Sequence, residues 1–270
     1  MEDSSKLIIH IGLHKTGTTF LQNTYFKSLK DTLYMHGNSF FVPWKEQMDK
    51  DNKNMLLSYE GFSGVAWNNK YNWIDSFEIN IEALQRFFPD AIILVVFRKH
   101  GDLALSMYKQ YINEGKSCKL NEFYGDNAVI SAKDLNFERR INFLEERFNH
   151  VYLLNFEIFK IKGFSYFDNL FSKEFNLKRI AIEENSKKSN KSLSGSKLDL
   201  LRKINPVYNR LPTKLRKTFR YARISPRDVL QNKLSFWNPK DSQEFQNFKN
   251  KLNKEFAQDW KYFESKQWKG

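Results

Sequence analysis

Residues 6–22, KLIIHIGLHKTGTTFLQ, decide how the rest of the chain is arranged. The apolar run Leu7–Ile11 is typical of a short buried strand, Gly12 ends it, and Thr18 begins a stretch with helical spacing. A strand, a glycine-bounded loop and a helix direct backbone N–H groups and the positive end of the helix towards one anion. Lys15 adds a cation to this loop. The stretch predicts a phosphate-binding loop; the alternative is an ordinary strand–helix turn with a surface lysine.

The order of residues in the loop argues against a nucleotide triphosphatase. In that class the lysine directly follows the second glycine of G-x-x-x-x-G-K-[ST]. Here Lys15 precedes Gly17, and Thr18 follows that glycine. A nucleotide kinase with a degenerate loop stays as an alternative. The spacing G-x-x-K-T-G-T-T, which begins at Gly12, resembles the 5′-phosphosulfate loop of sulfotransferases that use 3′-phosphoadenosine-5′-phosphosulfate (PAPS).

Composition limits the fold and the partners. The 270 residues are 41% hydrophobic and 16% aromatic, which suits one large α/β domain or two small ones. A net charge of +13 attracts nucleic acid, anionic membrane, acidic polysaccharide or a charged nucleotide. The chain carries no recognisable helix-turn-helix, finger or single-strand-binding signature, so we do not expect a nucleic-acid partner.

Cysteine usage and hydropathy bear on location. The single cysteine, Cys118, forms no intrachain disulfide, and residues 1–12 lack a signal-peptide pattern. We therefore expect a reducing, cytoplasmic location. No stretch approaches the roughly 18 to 20 apolar residues of a transmembrane segment. Peripheral contact with a membrane stays open.

Strand and helix signals alternate along the chain, which predicts a three-layer α/β/α sandwich with a central parallel sheet. The run AIILVVF, residues 91–97, is apolar throughout and is typical of a strand buried on both faces. We predict a single domain over 1–270, mainly helical from about residue 195 as a C-terminal cap. The predicted strands are Leu7–Ile11, Thr32–His36, 55–59, 91–97 and 151–156. The predicted helices are 77–88, 102–111, 137–148, Phe164–Phe175, 198–204 and 245–263, and 63–73 is predicted as an exposed loop.

The second decisive stretch is residues 95–112, VVFRKHGDLALSMYKQYI. Arg98 follows the predicted strand, at the edge where open α/β sheets bind ligands, and Ser106 comes eight residues later on a predicted helix. An arginine can grip a phosphate with two N–H groups and a serine hydroxyl can add a bond. The alternative is an arginine that pairs with Asp102. In PAPS-dependent sulfotransferases this spacing forms the 3′-phosphate site. The two motifs together resemble the sulfotransferase superfamily, especially its bacterial and carbohydrate-type members.

The resemblance implies a reaction and a set of binding residues. It implies PAPS as co-substrate, adenosine 3′,5′-bisphosphate as product, and no metal. It also implies a hydroxyl or amine acceptor on a saccharide or glycolipid. By the same resemblance, the 5′-phosphosulfate would lie against Lys15, Thr16, Gly17, Thr18 and Thr19, and the 3′-phosphate against Arg98 and Ser106. His14 lies inside the same loop, so we expect it to contact sulfonate oxygens more easily than the acceptor. A short Asn-x-Ser match would place Asn190 and Ser192 near the nucleotide; a solvated polar loop is the alternative.

Sulfuryl transfer also needs a base for the acceptor proton, beside Lys15 as the catalytic cation. Glu60 is the first candidate, because it ends a predicted strand and sulfotransferases of the bacterial and heparan type place a catalytic glutamate comparably. A glutamate that caps a turn is the alternative, and His36 is the alternative base. His10, flanked by isoleucines, is predicted to be a core histidine. A non-catalytic anion- or polysaccharide-binding protein with the same loop also stays open.

Overall fold

The structure, a computed structural model, describes residues 6–37, 53–67, 72–180, 193, 195–234 and 240–270. The chain divides into two compact units. The first unit comprises Met1–Lys99, Lys133–Ser186 and Phe256–Gly270, and the second comprises His100–Ala132 and Lys187–Glu255. The single domain expected over 1–270 stays a prediction.

A five-stranded parallel sheet forms the centre of the first unit. Its strands are β1 (Leu7–Ile11), β2 (Thr32–His36), β3 (Asn54–Tyr59), β4 (Ile92–Phe97) and β5 (His150–Asn155). They lie in the order β2-β3-β1-β4-β5, and every neighbouring pair is parallel. The strand that leads into the predicted phosphate loop is therefore in the middle, with β4 directly beside it. All five strands were predicted to within two residues at each end.

Helices account for most of the remaining described residues. The chain passes from the first unit to the second and back twice, so the helices of each unit come in groups along the sequence. They are α1 (Thr18–Phe20), α2 (Trp73–Phe87), α3 (His100–Asn113), α4 (Leu120–Phe123), α5 (Phe137–Glu145), α6 (Phe156–Lys162), α7 (Phe164–Phe175), α8 (Gly195–Arg210), α9 (Thr213–Tyr221), α10 (Pro226–Asp228), α11 (Gln243–Glu255) and α12 (Ala257–Lys266). α1 continues as a π turn, Leu21–Tyr25, and a 3-10 turn, Phe26–Ser28. None of the described helices is long and apolar enough to cross a bilayer.

Apolar side chains cover both faces of the sheet. On one face, Ile8 and Leu94 join a cluster with Tyr25 and with aromatic residues of α7. On the other face, the Phe97 ring lies 4.8 Å from that of Phe137 in α5 and 5.1 Å from that of α12's Phe263. Because alternate side chains of a strand point to opposite faces, helices must cover both. The predicted three-layer α/β/α fold is confirmed.

Two predicted elements differ from the structure. The helix predicted over 245–263 is two helices that break at Phe256, whose φ of −97° and ψ of 22° are not helical. The break has a packing reason, since α11 buries Leu252 in the second unit and α12 buries Phe263 in the first. The loop predicted over 63–73 ends in Trp73, which is buried and begins α2; residues 68–71 lie outside the described residues.

The second unit is a helical cluster around α3. Tyr108 of α3 packs its ring 5.3 Å from Phe123 and 5.9 Å from Phe245. Lys109 makes an ion pair with Asp241 at 2.7 Å. The buried Asn205 of α8 donates to the carbonyl of α3's Ile112 at 2.8 Å. These contacts fix α8 and α11 on α3.

Candidate active site

The loop between β1 and α1 has an unusual backbone. Lys15 has a φ of +62° and Gly17 a φ of +83°, a region that glycine tolerates and lysine seldom adopts. A Cβ at Gly17 would lie 3.2 Å from the ring of Phe156, so the loop lies close against α6. The Thr16 hydroxyl donates to the Leu13 carbonyl at 2.7 Å and closes the loop. Non-glycine residues held in this conformation cluster at functional sites.

The three threonines of the loop differ in what they can offer a ligand. Thr16 and Thr18 are buried, and both hydroxyls face the Leu13 carbonyl, at 2.7 and 3.5 Å. Thr19 is exposed. The first N–H groups of a helix have no acceptor within the helix, so α1 directs its N–H groups outward. For an anion, the loop therefore presents those backbone groups, the Thr19 side chain and Lys15.

Arg98 lies against this loop from the tip of β4. Its Nη1 donates to the Lys15 carbonyl oxygen at 2.9 Å. The guanidinium carbon is 5.0 Å from the centroid of the Phe156 ring, a cation–π distance. The two residues come from separate sequence motifs, 83 positions apart, and the structure brings them together at the carboxyl edge of the sheet.

Glu60 lies on the other side of the loop strand, at the start of a turn that follows β3. Its Oε1 is 3.0 Å from Nδ1 of His14, and Nε2 of His14 is 3.2 Å from the Gly64 carbonyl oxygen. Both ring nitrogens of His14 therefore have an oxygen neighbour in the fold. The side chain of Glu60 is 38% exposed and that of His14 is 15% exposed. The Glu60 carboxylate is therefore accessible to solvent, while the His14 ring that contacts it is mostly buried.

Aromatic side chains hold the Glu60 turn in place. Trp73 Nε1 donates to the Ser63 carbonyl at 2.6 Å, and the Trp73 ring lies 5.4 Å from His14. Gly64 has a φ of +88°, and a Cβ there would come within 2.7 Å of the Phe77 backbone nitrogen. These contacts join the Glu60 turn to α2 and to His14.

A buried arginine packs against the ring of the same tryptophan. The guanidinium carbon of Arg140 lies 4.3 Å from the Trp73 ring and 4.7 Å from Phe77. Its Nη2 donates to the Asp134 carbonyl at 2.9 Å. Burial lowers the pKa of Arg140 to about 9. Arg140 therefore stays largely charged at neutral pH, held between two rings behind the Glu60 turn.

His10 has no access to a ligand. It is fully buried in β1, and its Nδ1 lies 2.8 Å from the Ser58 hydroxyl, which also accepts from Gln22 at 3.0 Å. Desolvation lowers the pKa of His10 to about 3, so the ring is neutral at physiological pH. The predicted core histidine is confirmed.

The remaining predicted site residues are His36, Ser106, Asn190 and Ser192. His36 is exposed at the end of β2, and β3 separates β2 from the loop strand, a distance of about 10 Å for two strand spacings. Ser106 is half-buried in α3 of the second unit, and Arg98 belongs to the first unit. Asn190 and Ser192 lie outside the described residues. Within the described ranges, no three His, Cys, Asp or Glu side chains group as a metal site.

Comparisons with known proteins find similarity in structure only. No protein-family model matches the chain, and no curated protein matches it in sequence. A solved sulfotransferase from Alicyclobacillus acidocaldarius is 12% identical, with a TM-score of 0.46, over 90% of this chain and 98% of that chain. Mouse sulfotransferase SULT7A1, solved in complex with PAP, is 14% identical, with a TM-score of 0.39, over 91% of this chain and 88% of that chain. Both of these structures are sulfotransferases, and at these identities the likeness concerns the fold alone.

Proposed function

We propose that the chain is a PAPS-dependent sulfotransferase that transfers a sulfuryl group to a hydroxyl or amine of a saccharide or glycolipid. One observation carries the proposal: two kinds of chemical group flank a single loop at the carboxyl edge of the sheet. On one side of the loop, Arg98 donates a hydrogen bond to the Lys15 carbonyl oxygen. On the other side, Glu60 is hydrogen-bonded to His14. Open α/β sheets bind their ligands at this edge.

The loop and its cations suit the donor. Sulfuryl transfer resembles phosphoryl transfer, in which positioning and charge stabilisation supply most of the catalysis. Lys15 would stabilise negative charge on the oxygen that bridges sulfur and phosphorus as that bond breaks. The N–H groups from Thr16 to Thr19 would hold the remaining phosphate and sulfonate oxygens. Arg98 adds a second cation beside the same loop, and the sequence motif assigns it, with Ser106, to the 3′-phosphate.

Glu60 suits the acceptor. As a bond forms between the acceptor oxygen or nitrogen and sulfur, Glu60 would take the acceptor's proton, and adenosine 3′,5′-bisphosphate would leave with the electrons of the broken sulfur–oxygen bond. Glu60 is favoured over His36 because its strand, β3, adjoins the loop strand and that of His36 does not. His14 would hold the carboxylate in position.

The most specific part of the proposal is that the acceptor is a saccharide. It rests on the resemblance to carbohydrate-type sulfotransferases and on the aromatic surroundings of Glu60. The Trp67 ring stacks on the His14 ring at 6.0 Å and 23°. An aromatic face beside the base can pack against a sugar ring while its edge stays wet.

A donor-and-acceptor panel tests the proposal. Purified protein would be incubated with PAPS and a set of glycans, glycolipids and phenols, and the sulfated product and adenosine 3′,5′-bisphosphate would be quantified together. We expect equal amounts of both, with saccharides as the best acceptors. Phosphoryl transfer from ATP without sulfuryl transfer would support the kinase alternative. Thermal stabilisation by PAPS without transfer to any acceptor would support a binding protein.

A further inference from the structure

The second unit carries a dense run of cations that the proposed sulfuryl transfer does not use. Residues 210–227 contain seven basic side chains and no Asp or Glu. The whole chain has a net charge of +13, so this short segment carries more than half of that excess. The seven are Arg210, Lys214, Arg216, Lys217, Arg220, Arg223 and Arg227.

α9 lies within this run and is open to solvent. All of its residues are described and none is buried. Lys214, Lys217 and Arg220 are exposed on it. Tyr221 at its end is 94% exposed, and Ile224 shortly after it is 41% exposed. Basic and apolar side chains are therefore exposed side by side.

The preceding helix, α8, shows the same mixture along one face. Leu200, Lys203, Val207 and Arg210 are exposed and follow one another at intervals of three, four and three residues, which places them on one side of a helix. Val207 is 63% exposed.

α8 and α9 pack against each other. The Tyr208 hydroxyl of α8 donates to the carbonyl of Arg216 at 3.1 Å. The Tyr208 ring also stacks on Phe219 of α9 at 6.3 Å and 23°. The exposed face of α8 and the exposed residues of α9 and of 222–224 are here called the cationic surface.

The mixture of exposed basic and apolar side chains on the cationic surface favours a bilayer over other anionic partners. An acidic polysaccharide would satisfy the charges but would leave Tyr221 and Val207 in water. An anionic bilayer offers both a negative surface for Lys and Arg and an apolar layer beneath its headgroups. Tyrosine is enriched at that depth, and long basic side chains can extend from it to the phosphates. We propose that the cationic surface docks the protein onto membranes that contain anionic lipid.

Vesicle co-sedimentation tests the docking. The full chain would be spun with vesicles of phosphatidylcholine alone and with vesicles of equal parts phosphatidylcholine and phosphatidylserine. We expect binding to the second set only, weakened by added salt. Each Lys or Arg near an anionic surface contributes roughly five-fold in affinity, so the triple change Lys214→Gln, Lys217→Gln and Arg220→Gln should weaken binding about 100-fold.

A matched variant removes the same charge elsewhere in the second unit. Lys240, Lys251 and Lys254 are also exposed. The triple change Lys240→Gln, Lys251→Gln and Lys254→Gln should leave vesicle binding within a few-fold of the unchanged protein. Equal losses in the two triple variants would overturn the proposal, because net charge alone would then explain binding.

A second variant tests the apolar contribution at constant charge. Tyr221→Ser should weaken binding to the anionic vesicles several-fold without changing retention on a soluble sulfated polysaccharide. The proposal is wrong if the protein binds that polysaccharide and ignores the vesicles, or if Tyr221→Ser leaves vesicle binding unchanged. These outcomes do not depend on sulfuryl transfer, so the docking and the proposed function can fail separately.

Discussion

The buried His10 should make the stability of the protein depend on pH between about 3 and 6.5. Its pKa in the fold is about 3, because burial removes the solvent that would stabilise an imidazolium, and its ordinary value is 6.5. Below pH 6.5 the unfolded chain takes up a proton that the folded chain does not. The free energy of unfolding therefore falls as the pH falls, by about 1.4 kcal/mol per pH unit for this group.

The test compares how steeply the free energy of unfolding changes with pH in the natural chain and in a variant without His10. Urea unfolding would be followed at a series of pH values between neutrality and pH 4.5 for the natural chain and for His10→Gln, whose amide can still meet the Ser58 hydroxyl. Carboxylates contribute to both slopes and cancel in the difference. We expect the variant to lose about 1.4 kcal/mol less per pH unit once the pH is well below 6.5.

The control is His36→Gln, which changes an exposed histidine at the end of β2 and should keep the slope of the natural chain. Parallel slopes for the natural chain and His10→Gln would refute the reasoning, because His10 would then be protonated equally in the folded and unfolded states.

Three further predictions concern the site. Arg98→Ala should weaken binding of adenosine 3′,5′-bisphosphate in calorimetry by about 1.5–3 kcal/mol, as for a lost charge-assisted bond; unchanged affinity would contradict its role. Glu60→Gln should reduce turnover with little change in nucleotide affinity, and if it leaves turnover intact while His36→Ala removes it, the base is His36. Gly64→Ala should lower the free energy of unfolding by about 1–3 kcal/mol, since φ is +88° there and the new Cβ would meet the Phe77 nitrogen at 2.7 Å; a variant as stable as the natural chain would show that the turn can relax.

Local patterns sufficed for the sheet and for the loop. Each strand is a short apolar run between breaks, and the run 91–97 was recognisable as an interior strand because it has no polar face. The position of Lys15 relative to Gly12 and Gly17 is likewise a property of adjacent residues. Such features need no knowledge of how distant segments meet.

What the sequence could not show depends on distant contacts. The His14–Glu60 pair joins residues 46 positions apart, and the Trp73 support for it comes from a stretch that reads as an exposed loop. α9 was missed because its apolar pattern is limited to Leu215 and Phe219 within a run of Lys and Arg, and the helix buries no residue. The helix break at Phe256 reflects burial in two different units, which no local pattern records.

The most direct test of the central claim is the rate of sulfuryl transfer from PAPS to a saccharide by Lys15→Ala and by Lys27→Ala. Lys27 is an exposed lysine in the helical turn after the same loop, so it controls for the loss of one nearby positive charge. The account predicts that Lys15→Ala abolishes transfer while the fold persists, and that Lys27→Ala transfers at the natural rate. Near-natural turnover by Lys15→Ala would contradict it.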